Sequence, residues 1–526
     1  MNANRRQFLC AAAVAAAVPM AASHAKSLTK DTRWDEETDV LVIGYGGAGA
    51  CAAISAFDAG ARVLVVEKMS AGGGNTAVSS GGFMVPQEKT AARKYLRATY
   101  DLGNSECDEE LLDTFCDEIL NVPEWLKSLK PGTKVSVYGH AGYQNREGWE
   151  VIDKWRVVSK GKRSGDLLFE VYQYAVEEAR KIPVWFNAPA KQLIMRDGEV
   201  VGAVVSRNGK DMNIKAHKGV VLATGGFEYD KQSLQTFALG ENIHALGNPG
   251  NTGDGLRMAQ TAGAKLWHMT CYSWQLGTEL PGCKANQQVS TVAPSFIWVD
   301  RFGKRFADEF SADGHTRGYL VTRYDPVAHG YPQIPCYQIM DEKAVKRGPV
   351  TVTTSGYGIN REGYKWSRDN SQELGNGVIV RGETLAELAK KINVPADALE
   401  ETVRKWNEDM KKGRDTLFSR PVQNPQKKVV HADQGRVPVV SEALSDKGPY
   451  FAVKLWPSLL NTQGGPKKNV HGNIIRADGT PVARLYVAGE LGSMWRSIYQ
   501  GACNNAESIV FGRISGRNAA KEKNWA

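Results

Sequence analysis

Three glycines and an acid carry the first chemical message of this sequence. Gly44-x-Gly46-x-x-Gly49 follows the apolar run Val40 to Ile43 and opens an Ala-rich helical stretch that runs to Gly60. A second apolar run, Val63 to Val66, ends in Glu67. Each part has a physical task at a dinucleotide. Gly44 permits the tight strand-to-helix turn, Gly46 lets the backbone approach a pyrophosphate, and Gly49 lets helix and strand pack closely. The helix N-terminus faces the negative charge. Glu67 is spaced to bind a ribose hydroxyl.

Beyond Glu67, the loop Gly72-Gly73-Gly74-Asn75-Thr76, with Ser79 and Gly81-Gly82, resembles the flavin-cradling loop of one large family. This is the fumarate reductase/succinate dehydrogenase flavoprotein family, which also holds the 3-ketosteroid dehydrogenases. The resemblance covers residues 38–90, 219–260, 295–310 and 480–516. It implies FAD as the cofactor, with contacts from Gly44, Gly46, Gly47, Gly49, Glu67, Lys68, Gly74, Asn75, Thr76, Ser79, Gly81 and Gly82. It implies others from Ala190, from Ala223-Thr224-Gly225 and from Asp254 in Thr252-Gly253-Asp254-Gly255. Gly489-Glu490 and the start of the last helix, with Ala506 and Ile509, are expected against the flavin ring, where a helix N-terminus supplies positive potential. Asp254 also reads as a plain helix cap. In membrane-bound members a histidine of the cradling loop carries FAD covalently; that position here is Asn75, so non-covalent FAD is expected.

The stretch Phe296 to Glu309 is similar to the family's strand–turn–G-K-R-F-x-N-E. The arginine that donates a proton in fumarate reductases would fall on Asp313, with His315 and Arg317 the nearest candidates. Two carboxylate-binding residues of those enzymes fall on Asn461 and Tyr499. A dicarboxylate needs charge-assisted partners, so fumarate is not the expected substrate. Tyr499-Gln500-Gly501 instead resembles the Tyr-x-Gly with which ketosteroid dehydrogenases polarise a carbonyl; the bland alternative is a packed aromatic with its hydroxyl on the backbone. The expected reaction is reduction of a carbon–carbon double bond conjugated to a carbonyl or carboxylate in a small-molecule enone or enoate. Tyr499 steadies the developing charge, and Arg317 or His315 gives the proton or binds a carboxylate. With no haem or second dinucleotide motif, electrons are expected from a periplasmic cytochrome c or another donor. The reverse desaturation of a ketone or 3-ketosteroid, and flavin binding without turnover, stay open.

The elements that must position these residues follow an α/β order: a discontinuous Rossmann-like FAD-binding domain with an inserted α+β capping domain. Expected divisions are 1–25, 36–268, 269–435 and 436–526. Residues 89–129 read as helical, 131–165 as irregular loop over the cofactor, and 167–181 as helix. Strands are expected at 184–186, 191–195 and 200–207 around the Asp197-Gly198 turn, then at 219–226. Surface helices are expected at 384–391 and 396–411.

At 526 residues the chain exceeds what one core usually serves. Its 42% hydrophobic and 23% charged content is ordinary, and the net charge of +9 is scattered without a long basic run, which argues against nucleic acid as a partner. Arg5-Arg6-Gln7-Phe8-Leu9, the Ala/Val-rich run after it and Ser23-His24-Ala25 read as a twin-arginine signal. That makes the twin-arginine translocon a partner and the periplasm the expected location, with no stable membrane span. Removal of Cys10 with the signal leaves seven cysteines in no metal or haem spacing. Cys51 is expected as a small buried side chain of the first helix.

Overall fold

The structure, a computed structural model, describes residues 25–526 apart from 30–31, 103–105, 144–145, 160–163, 290–292, 312–313, 352, 354–361, 423–428, 432–434, 437–440, 497 and 526. The signal expected over 1–25 therefore lies outside the described residues but for Ala25, as does Asp313.

The apolar run at Val40 is the middle of a parallel sheet. Glu36–Ile43 pairs with Val63–Val66 on one side and with Lys210–Leu222 on the other, all parallel. Val184–Trp185 and Pro481–Val487 extend the parallel set at its two edges. Burial on both faces explains the unbroken apolar runs. Val40 and Val42 face a core shared with the helices Gly47–Asp58 and Cys503–Lys521. Leu41 and Ile43 face the opposite core, with Val200, Ala203 and Val205. The meander Ala190–Arg196, Glu199–Arg207 and Lys210–Leu222 is antiparallel. Its last strand is long enough to pair with the meander by its first half and with Pro481–Val487 by its second.

A second sheet of seven strands is built around Tyr450–Thr462, which pairs with Tyr272–Thr278, Cys336–Asp341 and Ile379–Gly382. The helices Leu385–Ile392 and Ala396–Lys411 cover it, burying Leu388, Leu399, Val403 and Trp406. The chain returns to the first sheet between Thr462 and Pro481, later than the division expected at 435/436.

One stretch departs from its expected form. Residues 131–165 are not simply irregular: Ile152–Val157 is the middle strand of a three-stranded antiparallel sheet, pairing with Gly82–Pro86 on one side and Val135–His140 on the other. Both strands of this stretch are half-exposed, and one is bulged at Gly139, so neither shows a clean alternation. Tertiary pairing to the buried Gly82–Pro86 supplies the order that the local sequence lacks.

Candidate active site

Four parallel strands end side by side, and the residues just beyond them form one edge of a cavity whose empty space, open solvent included, is about 820 Å³. Ile43-Gly44, Val66-Glu67, Ala223-Thr224 and Ala488 each sit at such a strand end. This is where open α/β sheets bind ligands. Gly44 has φ of +102°, and Gly49 lies beneath the turn, where an added methyl would come within 1.9 Å of the Gly44 carbonyl oxygen.

Of the expected cofactor contacts, Gly44, Gly46, Gly47, Glu67, Lys68, Gly74, Asn75, Thr76, Ala190, Ala223, Thr224, Gly225, Asp254 and Glu490 line this cavity. Glu67 is fixed by the N–H groups of Tyr45 and Met69, each donating at 2.8 Å. Burial pushes its carboxyl up, and those two N–H groups work against the rise. Asp254 is not the N-cap of its helix, a place taken by Gly253. Its carboxylate instead takes Lys68 Nζ at 2.6 Å and Arg257 Nη2 at 2.6 Å.

The remaining expected contacts are held by bonds and packing of their own. Ser79 Oγ and the Gly82 carbonyl accept from Asn505 Nδ2 at 3.2 and 2.9 Å, and the Gly81 N–H donates to Ser79 Oγ. These bonds tie the cradling loop to the last helix. Gly489 packs on Ala48 and Ser508. Ala506 and Ile509 are turned into the core shared with the first helix. Sequence reasoning missed Asn248, Gly250 and Asn251, which line the cavity from the loop ahead of Thr252-Gly253-Asp254-Gly255. Their signal was the run Gly247-Asn248-Pro249-Gly250-Asn251, a polar turn abutting that motif.

The cavity fits FAD. An added methyl at Gly46 would meet nothing closer than 3.8 Å, so that backbone faces open space, as close approach of a pyrophosphate requires. The Thr224 hydroxyl is buried at the wall without a hydrogen-bond partner among the described residues. FAD would be held by the N–H groups at the start of the first helix, by Glu67 and Lys68, and by the loop around Asn75 and Thr76.

His315, Arg317 and Tyr499 do not line the cavity itself. The structure does bring His315 and Tyr499 together: their rings stack with centroids 3.9 Å apart and planes within 15°. Burial raises the Cys503 thiol well above its ordinary range, and a hydrogen bond from Tyr499 is among the effects that lower it. The Tyr499 carbonyl accepts from the Tyr143 hydroxyl. Tyr143 N–H donates to Tyr95 Oη at 2.7 Å, and Tyr95 Oη donates to Gln500 Oε1 at 2.9 Å. The buried ion pair Lys468–Glu507, at 2.7 Å, ties down the same segment, because Glu507 also takes the Met494 N–H at 2.8 Å. His315 and Arg317 come from the second-sheet side. The His315 carbonyl accepts from Trp274 N–H at 2.9 Å, and the Arg317 guanidinium lies over the Trp298 ring at 5.9 Å. Asn461, at the end of the strand Tyr450–Thr462, turns its amide onto the Thr462 carbonyl at 3.0 Å.

Comparison with known proteins agrees with this reading of the cavity. The chain is 27% identical to a urocanate reductase of Eggerthella lenta, over 92% of this chain and 75% of that protein. It is 28% identical to an acrylate reductase flavoprotein subunit of Shewanella woodyi, over 98% of this chain and 97% of that protein. The fold matches the crystal structure of a 3-ketosteroid delta1-dehydrogenase from Sterolibacterium denitrificans with a TM-score of 0.76, at 22% identity, over 92% of this chain and 99% of that one. Residues 39–505 match the model of the FAD binding domain family, and the chain belongs to that family.

Proposed function

We propose that the protein is an FAD-dependent reductase of a carbon–carbon double bond conjugated to a carbonyl or carboxylate, and that fumarate is not its substrate. The observation that carries this is the uncharged character of two positions where a dicarboxylate clamp would sit. Tyr499 is stacked on His315, and Asn461 is spent on a backbone carbonyl. FAD supplies the two-electron chemistry when bound. Tyr499 holds the charge that develops on the substrate carbonyl oxygen, with Tyr143, Tyr95 and Gln500 fixing its backbone. His315, or Arg317 beside it in the chain, gives the α-proton or meets a single carboxylate. The similarity to reductases named for urocanate and acrylate, each bearing one carboxylate, supports this class.

The test is oxidation of a reduced viologen by the purified holoprotein against a panel of enones, single-carboxylate enoates and fumarate. A buried carboxylate left without a charged partner costs several kcal/mol, and each ~1.4 kcal/mol is tenfold in rate. Turnover of at least one monocarboxylate or ketone with none of fumarate is expected; brisk fumarate turnover overturns the proposal. Tyr499-Gln500-Gly501 also favours a second reading, desaturation of a ketone, which an artificial electron acceptor with a saturated ketone would reveal.

The electron donor in this proposal is a separate redox protein, such as a periplasmic cytochrome c. A relative named as a flavoprotein subunit supports a division of labour of that kind. Among the described residues no helix is long and apolar enough to cross a membrane. The twin arginines Arg5-Arg6 support export to the periplasm, for which cell fractionation is the check.

We further propose that the flavin is bound without a covalent link. The Asn75 amide is engaged by Glu228, Glu490 and the Leu460 carbonyl, and its oxygen by the Asn248 N–H. Acid or heat precipitation should release all the yellow colour to the supernatant. Colour remaining with the precipitate would refute the assignment.

A further inference from the structure

Two carboxyl groups at the cavity, Glu490 on its wall and Glu228 buried against it, are not used by the reaction above. Glu228 follows the strand-end turn Ala223–Gly226 and is 2% exposed, while Glu490 follows the strand Pro481–Val487 and lines the cavity. Asn75 Nδ2 donates to both, at 3.0 Å to Glu228 Oε1 and 2.8 Å to Glu490 Oε2. Asn251 Nδ2 donates to Glu228 Oε1 at 2.9 Å, and Thr462 N–H donates to Glu490 Oε1 at 3.1 Å. The other Glu228 oxygen, Oε2, accepts from no N–H or hydroxyl among the described residues. What it meets is the second carboxyl. A methyl group at Gly226 would come within 2.2 Å of Glu490 Oε1 and 2.6 Å of Glu228 Oε2, so these two oxygens converge on one spot.

Neither carboxyl has a cation on it among the described residues. The nearby Lys68 is engaged by Thr252 and Asp254. The facing groups are the amides of Asn75 and Asn251 and the N–H and hydroxyl of Thr462. The neighbouring Tyr229 phenol is turned away to the Gly247 carbonyl at 2.9 Å. Two close buried carboxyls cannot both be ionised. Burial raises both, and the charge of Glu228 adds to burial at Glu490. One proton therefore sits between them.

We propose that Glu228 and Glu490 form a proton-sharing pair that reaches the flavin cavity through Glu490, and that this pair takes up a second proton when the bound flavin is reduced. This rests on the FAD assignment. Two electrons and one proton delivered to the flavin leave one added negative charge in the cavity that Glu490 lines. That charge raises the affinity of the pair for a second proton, which comes from solvent, so the holoprotein gains two electrons and two protons in all. By linkage the pair in turn makes reduction more favourable as pH falls. These are positioning and tuning residues, since they act through the cofactor.

The test is a mediated spectroelectrochemical titration of the FAD-loaded protein across pH, with electrons supplied by an electrode. Each proton taken up changes the two-electron equilibrium tenfold per pH unit, equivalent to about 30 mV. Over the window where the pair titrates, the wild-type midpoint potential should fall more steeply than that of Glu490→Gln or Glu228→Gln, by one proton's worth. Equal slopes in wild type and variants overturn the proposal, because a merely structural role would leave the slope unchanged. Should either variant fail to retain flavin, the reduced-minus-oxidised infrared spectrum of the native holoprotein decides. A protonated-carboxyl band that moves on isotopic labelling of glutamate upholds the pair, and the lack of one overturns it. Wild-type protein that binds no flavin would instead refute the FAD assignment, a separate outcome.

Discussion

Glu309→Gln should lower the unfolding free energy of the FAD-saturated protein by about 3–5 kcal/mol at neutral pH, measured by urea denaturation. The sequence around Glu309 reads like a family motif next to the chemistry, yet its side chains form a buried ionic knot beneath the second sheet. Arg305 donates to Glu309 at 3.1 and 2.9 Å and to Asp415 at 3.0 and 3.1 Å. Arg420 donates to Glu309 at 3.2 Å and to the Phe296 carbonyl at 2.7 Å, and its guanidinium lies over Phe296, Phe310 and Trp406. The Glu309 and Arg420 side chains are fully buried. Replacing Glu309 by its neutral isostere leaves Arg305 its bonds to Asp415 but takes from Arg420 the carboxylate its guanidinium donates to, with solvent excluded. A loss below 1 kcal/mol would show that water or rearrangement repays the missing charge.

The same knot fixes a pH dependence. Burial acts to raise the Glu309 carboxyl, but Arg420 and Arg305 outweigh it and hold the group below its ordinary value. Its contribution is therefore present above the unfolded pKa of about 4.3 and lost as pH falls through the lower folded value. Acid should thus narrow the gap between wild type and Glu309→Gln.

How much of this was legible in the sequence depends on how local each feature is. The strand–Gly44–helix–Glu67 unit was legible because its apolar runs, turn glycines and terminal acid all lie within one short stretch. The helices at 384–391 and 396–411 announce themselves by apolar spacing, and the structure has Leu385–Ile392 and Ala396–Lys411. The cavity wall was legible where it is made of strand ends. Asn75 and Glu490 were each legible as contacts, but not as partners of one another across 415 positions, and nothing near Glu228 marks it as joining them. The last helix approaches the cradle through Asn505, and helical periodicity places Ala506 and Ile509 in the core that it shares with the first helix.

On whichever substrate the viologen assay finds, Tyr499→Phe should lower kcat by about 10²–10³, the range seen when one oxyanion donor is removed. FAD content should stay unchanged, because Tyr499 does not line the FAD cavity. The substitution keeps the ring, and with it the stack on His315 at 3.9 Å and the backbone bond from Tyr143. What it removes is one hydroxyl, whose hydrogen bond bears on the Cys503 thiol. A thiol is a weak acceptor, so that bond costs little to exchange for one to a substrate carbonyl. Cys503→Ala separates the two roles: it removes the sulfur partner and leaves the phenol intact. If the hydroxyl serves catalysis, Cys503→Ala keeps most of kcat while Tyr499→Phe loses it. If the hydroxyl serves only packing at the start of the last helix, Tyr499→Phe keeps wild-type kcat and loses stability alone. That result would remove Tyr499 from the reaction and leave carbonyl polarisation to the Gly501 N–H, which in this structure is held by the Ala141 carbonyl at 3.2 Å.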